Sequence, residues 1–130
     1  MSTIRDAIQT DGAPAAIGPY SQGIFTDDLV FCSGQVGLDP ATGELVEGGV
    51  EAQAERALKN LTAVLDAGGC TWADVVKTTV FLADIGDFAA VNAVYGKRMP
   101  DPPPARSTFA VAALPKGARI EMEATAIRRR

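Results

Sequence analysis

Histidine is absent from the 130 residues of the chain. Without an imidazole, Ser–His and Cys–His nucleophile pairs are excluded, and so is a His-ligated metal. Acid–base chemistry then falls to Asp, Glu, Tyr, Lys, Cys or water. Cysteine is scarce. Cys32 and Cys70 stand far apart with no CxxC spacing, which favours buried free thiols over a disulfide or a reactive thiol. No apolar run is long enough to cross a membrane. The first residues, Met1 to Asp6, lack the apolar core of a secretory leader, so the expected location is cytoplasmic. Net charge is −4, and the one basic cluster, Arg128-Arg129-Arg130, reads as a solvated tail. This balance argues against nucleic acid as the main partner.

Nearly half the residues are hydrophobic and aromatics are few. The length suits one domain, residues 1–130, with a core of its own. Residues 1–13 read as a loose lead or a short edge strand. Pro14 to Pro19 is too proline-rich for a central strand and delivers Tyr20-Ser21-Gln22-Gly23. Ile24-Phe25-Thr26 and Leu29 to Gly34 predict a hairpin around Asp27-Asp28. Leu38 to Leu45 is a turn-rich loop. After Gly48-Gly49, the residues Val50, Ala54, Ala57, Leu58, Leu61, Val64 and Leu65 fall on one helical face, with Glu51, Glu55, Arg56, Lys59 and Asn60 largely opposite. Gly68-Gly69 ends that helix. Val75 to Ala83 is a β-branched strand. Asp84 or Asp87 caps a second helix in which Phe88, Val91, Asn92 and Tyr95 share a face. Met99 to Pro104 is a stiff connector.

The C-terminal third reads as two strands joined by a turn. Pro104 to Leu114 alternates Arg106, Thr108 and Ala110 against Ser107, Phe109 and Val111. Pro115 and Gly117 form the turn. Ile120, Met122 and Ala124 then alternate with Glu121, Glu123 and Thr125. The element order is β-β-α-β-α-β-β. Two helices cover only one face of such a sheet, yet the central strand is apolar on both faces, with Val76, Val80 and Leu82 on one and Val75 and Phe81 on the other. The second face is expected to pack against further copies of the chain.

Arg106 reads either as a strand-edge arginine in solvent or as a bidentate clamp for carboxylate or phosphate. Glu121 is either on a wet face or, if that face is a subunit contact, a desolvated carboxylate able to act as a base for water. Glu123 shares its face. Tyr20 sits in a constrained loop and either packs on the core or contacts a ligand. Ser33-Gly34-Gln35 offers a hydroxyl and a backbone open to close approach. Asn92, an amide on an apolar face, needs a hydrogen-bond partner, structural or ligand. These residue types suit a small anionic ligand and define no reaction.

At Ala13 to Gln22, Ser33-Gly34-Gln35, Val76 to Leu82, Asp87 to Asn92, Pro104 to Ser107, Leu114-Pro115-Lys116 and Ile120 to Glu123, the chain resembles the Rid (YjgF-like) family of imine/enamine deaminases. The resemblance implies a chorismate-mutase-like α+β fold, with a single sheet and two helices on one face. It also implies a homotrimer around a central barrel, with clefts between subunits. In that reading Arg106 clamps the substrate carboxylate, Glu121 activates water, and Tyr20, Ser33, Gly34 and Asn92 line the cleft. The substrates would be 2-aminoacrylate and related 2-imino acids, hydrolysed to 2-keto acids and ammonia without metal or organic cofactor. Thr108 stands where the family often has cysteine, in a role expected of its backbone. The connector Gly96 to Pro104 is shorter than in archetypal members and lacks the phenylalanine often found before Pro-Ala-Arg. The competing readings are a carboxylate- or 2-keto acid-binding regulatory or chaperone-like trimer without turnover, a ribonuclease, and a chorismate mutase suggested by fold alone.

Overall fold

The computed structural model describes residues 4–128. Its elements are β1 (Asp6–Ile8), β2 (Gly23–Phe25), β3 (Leu29–Val36), α1 (Gly49–Ala67), β4 (Val75–Leu82), α2 (Phe88–Arg98), β5 (Ala105–Ala110) and β6 (Ile120–Ile127), with 3-10 turns at Trp72–Asp74, Ile85–Asp87 and Pro115–Gly117. The predicted β-β-α-β-α-β-β order is present, preceded by β1 as a short edge strand paired to β2.

The six strands lie in the order β1-β2-β3-β6-β4-β5. All pairs are antiparallel except β4 with β5. This corrects two expectations. First, the sheet is open and forms no barrel, because β1 and β5 each have a strand on one side only. Second, β5 and β6 are not a hairpin, because β4 lies between them and pairs with both. The connection through Pro115–Gly117 is therefore a crossover past β4.

Both helices cover one face of the sheet: α1 packs on β3 and β6, and α2 packs beside α1. Val80, Leu82, Ile120, Met122 and Ala124 point into the core from the sheet, and Ala54, Ala57, Leu58, Leu61, Val64 and Leu65 meet them from α1. The end of α1 is closed as the paired glycines predicted. Gly69 takes a left-handed φ of 81°, its N–H bonds Asp66 O at 3.0 Å, and Cys70 N–H bonds Leu65 O at 2.8 Å. Those two bonds satisfy carbonyls that the helix leaves open.

Three local assignments change. A register shift between Val75 and Lys77 turns Val75 inward and Val76 outward, the reverse of strict alternation; Val80 and Leu82 remain inside. Asn60, read onto the polar side of α1, is fully buried. Its Nδ2 donates to the carbonyls of Val36 (3.2 Å) and Leu38 (2.9 Å), and its Oδ1 accepts from Arg56 Nε at 3.0 Å. The end of β3 exposes carbonyls toward α1 and needs a donor there. Arg128 is no solvated tail: it stacks on Phe25 at 4.2 Å, and its Nη1 donates to Thr26 O at 3.2 Å. Met1 to Thr3 and Arg129-Arg130 lie outside the described residues.

The other face of the sheet carries Phe31, Val76, Phe109 and Ile127, each between 42 and 46% exposed. Phe81 meets Phe109 there edge to face at 5.4 Å. No element among the described residues covers this face.

Candidate active site

The predicted site residues fall into two groups on opposite faces of the sheet. Glu121 pairs with Phe81 across β6 and β4, on the uncovered face. Gly34 lies directly against it: a Cβ added at Gly34 would overlap Glu121 Oε2 and stand 2.8 Å from Cδ. Tyr20, Ser33, Gly34 and Glu121 share a cavity of about 650 Å³ with Ile17 and Lys116. Ser33 is fixed there by its Oγ, which donates to Ser21 O at 2.6 Å, and by its N–H, which bonds Gln22 O at 2.9 Å. Tyr20 is 54% exposed, so its ring is not a core residue.

Gln22 holds the loop that presents Tyr20. It is buried, its Nε2 donates to the carbonyls of Thr10 (3.0 Å), Ala13 (3.3 Å) and Pro14 (2.8 Å), and its Oε1 accepts from Thr10 N–H at 2.7 Å. A side-chain amide thus replaces the strand pairing that the prolines prevent. Burial raises the Glu121 pKa above the ordinary carboxylate value, and the negative charge of Glu123 raises it further. A desolvated carboxylate of this kind is a better proton acceptor than a surface one.

Arg106 is in the second group. It pairs with Thr78 across β5 and β4, and Thr78 faces the core. Its guanidinium lies over the rings of Tyr95 (4.7 Å) and Phe88 (5.7 Å) of α2. Tyr95 Oη is tied to Thr78 Oγ1 at 2.7 Å, which fixes the ring beneath the guanidinium. Asn92 occupies the same helical stripe as Phe88 and Tyr95, at spacings of four and three residues, and is half-buried. Thr108 follows Arg106 by two residues on the same face of β5, and its Oγ1 is buried without a hydrogen-bond partner among the described residues. Among the described residues the salt bridges are Arg98–Glu55 and Arg119–Asp87, so no carboxylate engages Arg106.

The register separates the two groups. Arg106 lies beside Thr78 and Glu121 beside Phe81. That is three residues along the strands, about 10 Å, and two strand spacings across, about 10 Å, with side chains on opposite faces. One chain cannot close both groups around one small molecule. The cysteines belong to neither group. Both are free and buried, and burial together with the nearby Cys70 pushes the Cys32 thiol up to about 12. Among the described residues no cluster of acidic and thiol side chains has the arrangement of a metal site.

Sequence reasoning missed Lys116, Ile17 and the Phe88–Tyr95 shelf. Lys116 did carry a signal in its place between Pro115 and Gly117, and in the structure it takes a φ of 59°. The shelf required knowing that the Arg106 side chain reaches over the Phe88 and Tyr95 rings of α2.

A small two-layer domain with a desolvated glutamate on one face and an unpaired arginine on the other defines the class. The family described as endoribonuclease L-PSP matches residues 10–128. The human protein named 2-iminobutanoate/2-iminopropanoate deaminase is 54% identical over 126 residues, covering 97% of this chain and 92% of its own. Among solved structures, RidA from the Antarctic bacterium Psychrobacter sp. superposes with a TM-score of 0.91 at 47% identity, covering 95% of this chain and 99% of that one. E. coli TdcF with bound serine superposes with a TM-score of 0.89 at 41% identity, with the same coverage. The chain belongs to the Rid (YjgF-like) family.

Proposed function

We propose that this chain is a 2-iminobutanoate/2-iminopropanoate deaminase, an enzyme that hydrolyses reactive 2-imino acids to 2-keto acids and ammonia. The observation that carries the mechanism is the pairing of opposites: a guanidinium with no carboxylate partner among the described residues, and a desolvated glutamate packed against a glycine. Arg106 binds the substrate carboxylate in two parallel hydrogen bonds. The Tyr95 ring keeps its plane fixed, and the buried Thr108 hydroxyl donates beside it. Asn92 and Tyr20 orient the remainder of the ligand.

An enamine such as 2-aminoacrylate tautomerises to the imine, whose C2 is electrophilic. Glu121 accepts a proton from water as the water oxygen bonds to C2 of the imine protonated on nitrogen, giving a neutral carbinolamine. The protonated Glu121 then returns that proton to the amine nitrogen. The C–N bond breaks, ammonia leaves, and the hydroxyl oxygen becomes the keto oxygen as its proton passes to Glu121. Fixing the carboxylate sets the distance from water to C2, and such positioning lowers the barrier to the addition.

Because the two groups lie on opposite faces of one sheet, we also propose that the active unit is a homotrimer in which Glu121 of one chain serves Arg106 of another. The exposed Phe31, Val76, Phe109 and Ile127 support this association, since an uncovered apolar face of that kind is a recognition surface. A fully active monomer in sedimentation velocity would refute it.

The reaction is tested by generating 2-iminobutanoate with a threonine dehydratase in the presence of semicarbazide. The unaltered protein is expected to divert imine from semicarbazone to keto acid, and Arg106→Ala to lose that diversion. A trapping rate unaffected by the unaltered protein over several imino acids would refute catalysis. It would leave the 2-keto acid-binding reading, to be decided by calorimetry with pyruvate.

A further inference from the structure

Among the described residues no acceptor takes an N–H of the Arg106 guanidinium and no carboxylate pairs with it, so all its donors are open to a ligand. What orients the group is the pair of rings on α2, Tyr95 at 4.7 Å and Phe88 at 5.7 Å. The two rings are not equally fixed. Phe88 is 39% exposed and carries no polar group. Tyr95 is buried, and its Oη shares a hydrogen bond of 2.7 Å with the Oγ1 of Thr78, which is 1% exposed. Thr78 stands beside Arg106 in the β4–β5 register. Three elements thus meet at one point: β4 supplies a hydroxyl, α2 a ring and β5 the guanidinium. Valine and phenylalanine would fill the same space. Two apolar groups of that shape are nearly as stable in a core as two hydroxyls bonded to each other, so the hydrogen bond adds direction more than stability.

We infer that Thr78 and Tyr95 are positioning residues for the reaction. Their hydrogen bond fixes the tilt of the Tyr95 ring, the ring sets the plane of the guanidinium, and the guanidinium sets the plane of the bound carboxylate and of the adjoining C2. The inference rests on the deaminase reading of Arg106. Charge attracts a carboxylate whatever the plane of the guanidinium, whereas attack of water on C2 needs one alignment. Loss of the hydrogen bond therefore lowers kcat more than it weakens binding. Thr78 is too buried to touch the substrate and acts through two other side chains from inside the core.

The test sets shape against hydrogen bonding. The double variant Thr78→Val with Tyr95→Phe keeps the shape of the pair and removes its hydrogen bond. Thr78→Ser keeps the hydroxyl and removes a buried methyl group. The double variant is expected to hold Tm within about 3 °C. It should lose about tenfold or more of kcat for 2-iminobutanoate, while Kd for pyruvate moves by less than about threefold. Thr78→Ser is expected to lower Tm by about 3–6 °C and to rescue kcat to within about threefold of the unaltered protein. A merely structural pair would give the reverse, with kcat following Tm, and that pattern would overturn the positioning role. The Nε–H resonance of Arg106 reads the stacking without turnover, because the face of an aromatic ring shifts it upfield. It should move toward its ordinary position in the double variant and stay shifted in Thr78→Ser. If no imine is hydrolysed but the resonance follows the hydrogen bond, the deaminase reading fails and the orientation of Arg106 by this pair stands. If imine is hydrolysed and kcat does not respond to the double variant, the positioning role fails and the deaminase reading stands.

Discussion

Replacing Gly34 by alanine separates catalysis from folding at one atom. The new Cβ would overlap Glu121 Oε2 and lie 2.8 Å from Cδ and 3.1 Å from Cγ. Ordinary carbon contacts are about 3.5–4.0 Å, so the carboxyl group must retreat by about 1 Å. The obstacle is the end of a flexible side chain rather than backbone, and the φ of Gly34 is not in the left-handed region. Folding should therefore tolerate the change. Alanine restricts the unfolded chain, which offsets about 0.4–1 kcal/mol of the crowding, and Tm should move by less than about 5 °C. Catalysis should not tolerate it. A 1 Å displacement of a catalytic group costs about 100-fold, or about 2.7 kcal/mol of transition-state stabilisation. The assay is kcat/KM for 2-iminobutanoate, with thermal unfolding alongside and Glu121→Gln as the second arm of a double-mutant cycle. If Gly34→Ala acts through Glu121, the two losses will not add. An unchanged kcat/KM with unchanged Tm would refute the claim that the reaction depends on where this carboxylate sits. A collapse in Tm would refute the claim that the strand accommodates the methyl group.

Burial and the charge of Glu123 both raise the pKa of Glu121, so kcat/KM should fall with decreasing pH on a limb above the usual carboxylate range. Glu123→Gln should move that limb to lower pH, and a limb that stays in place would exclude Glu121 as the titrating base. The same raised pKa means the folded state holds the Glu121 proton more tightly than the unfolded chain does. Its carboxylate therefore opposes folding most above the raised value, and that cost shrinks to nothing as pH falls from the raised value to the ordinary carboxylate value, so Glu121→Gln should raise Tm at pH 7. Thr108→Val removes a buried hydroxyl that has no hydrogen-bond partner among the described residues, so it should leave stability unchanged or raise it by about 1 kcal/mol while raising KM; an unaltered KM would remove Thr108 from the site. Asn60→Ala strands the Leu38 carbonyl, whereas that of Val36 keeps the Leu38 N–H at 2.8 Å, and should cost about 1–3 kcal/mol, read as a lower urea midpoint with an unchanged m-value.

Local features were legible in the sequence because short-range chemistry determines them. The apolar stripe of α1 and its glycine stop depend on residues a turn apart, and the alternation along β6 placed Glu121 and Glu123 on one face and Met122 on the other. Strand pairing was not legible, because nothing within residues 104–124 reveals that β4 separates β5 from β6. A single register shift reversed Val75 and Val76. Asn60 looks like a surface amide until the end of β3 presents two carbonyls to it. At the candidate site, residue types were readable and their grouping was not. Arg106 and Glu121 both come from the C-terminal third, and only the sheet order shows that they face opposite ways.

That opposition has a consequence for inheritance. If each cleft takes its arginine from one chain and its glutamate from the next, a subunit lacking either residue is dead alone but not in company. Mixed assemblies of Arg106→Ala and Glu121→Ala chains would contain intact clefts, about a quarter of the total for random association around a ring. Two null alleles at one locus would then rescue each other. An allele carrying both lesions would rescue neither, and would instead spoil the two clefts that its chain borders in any ring it joined.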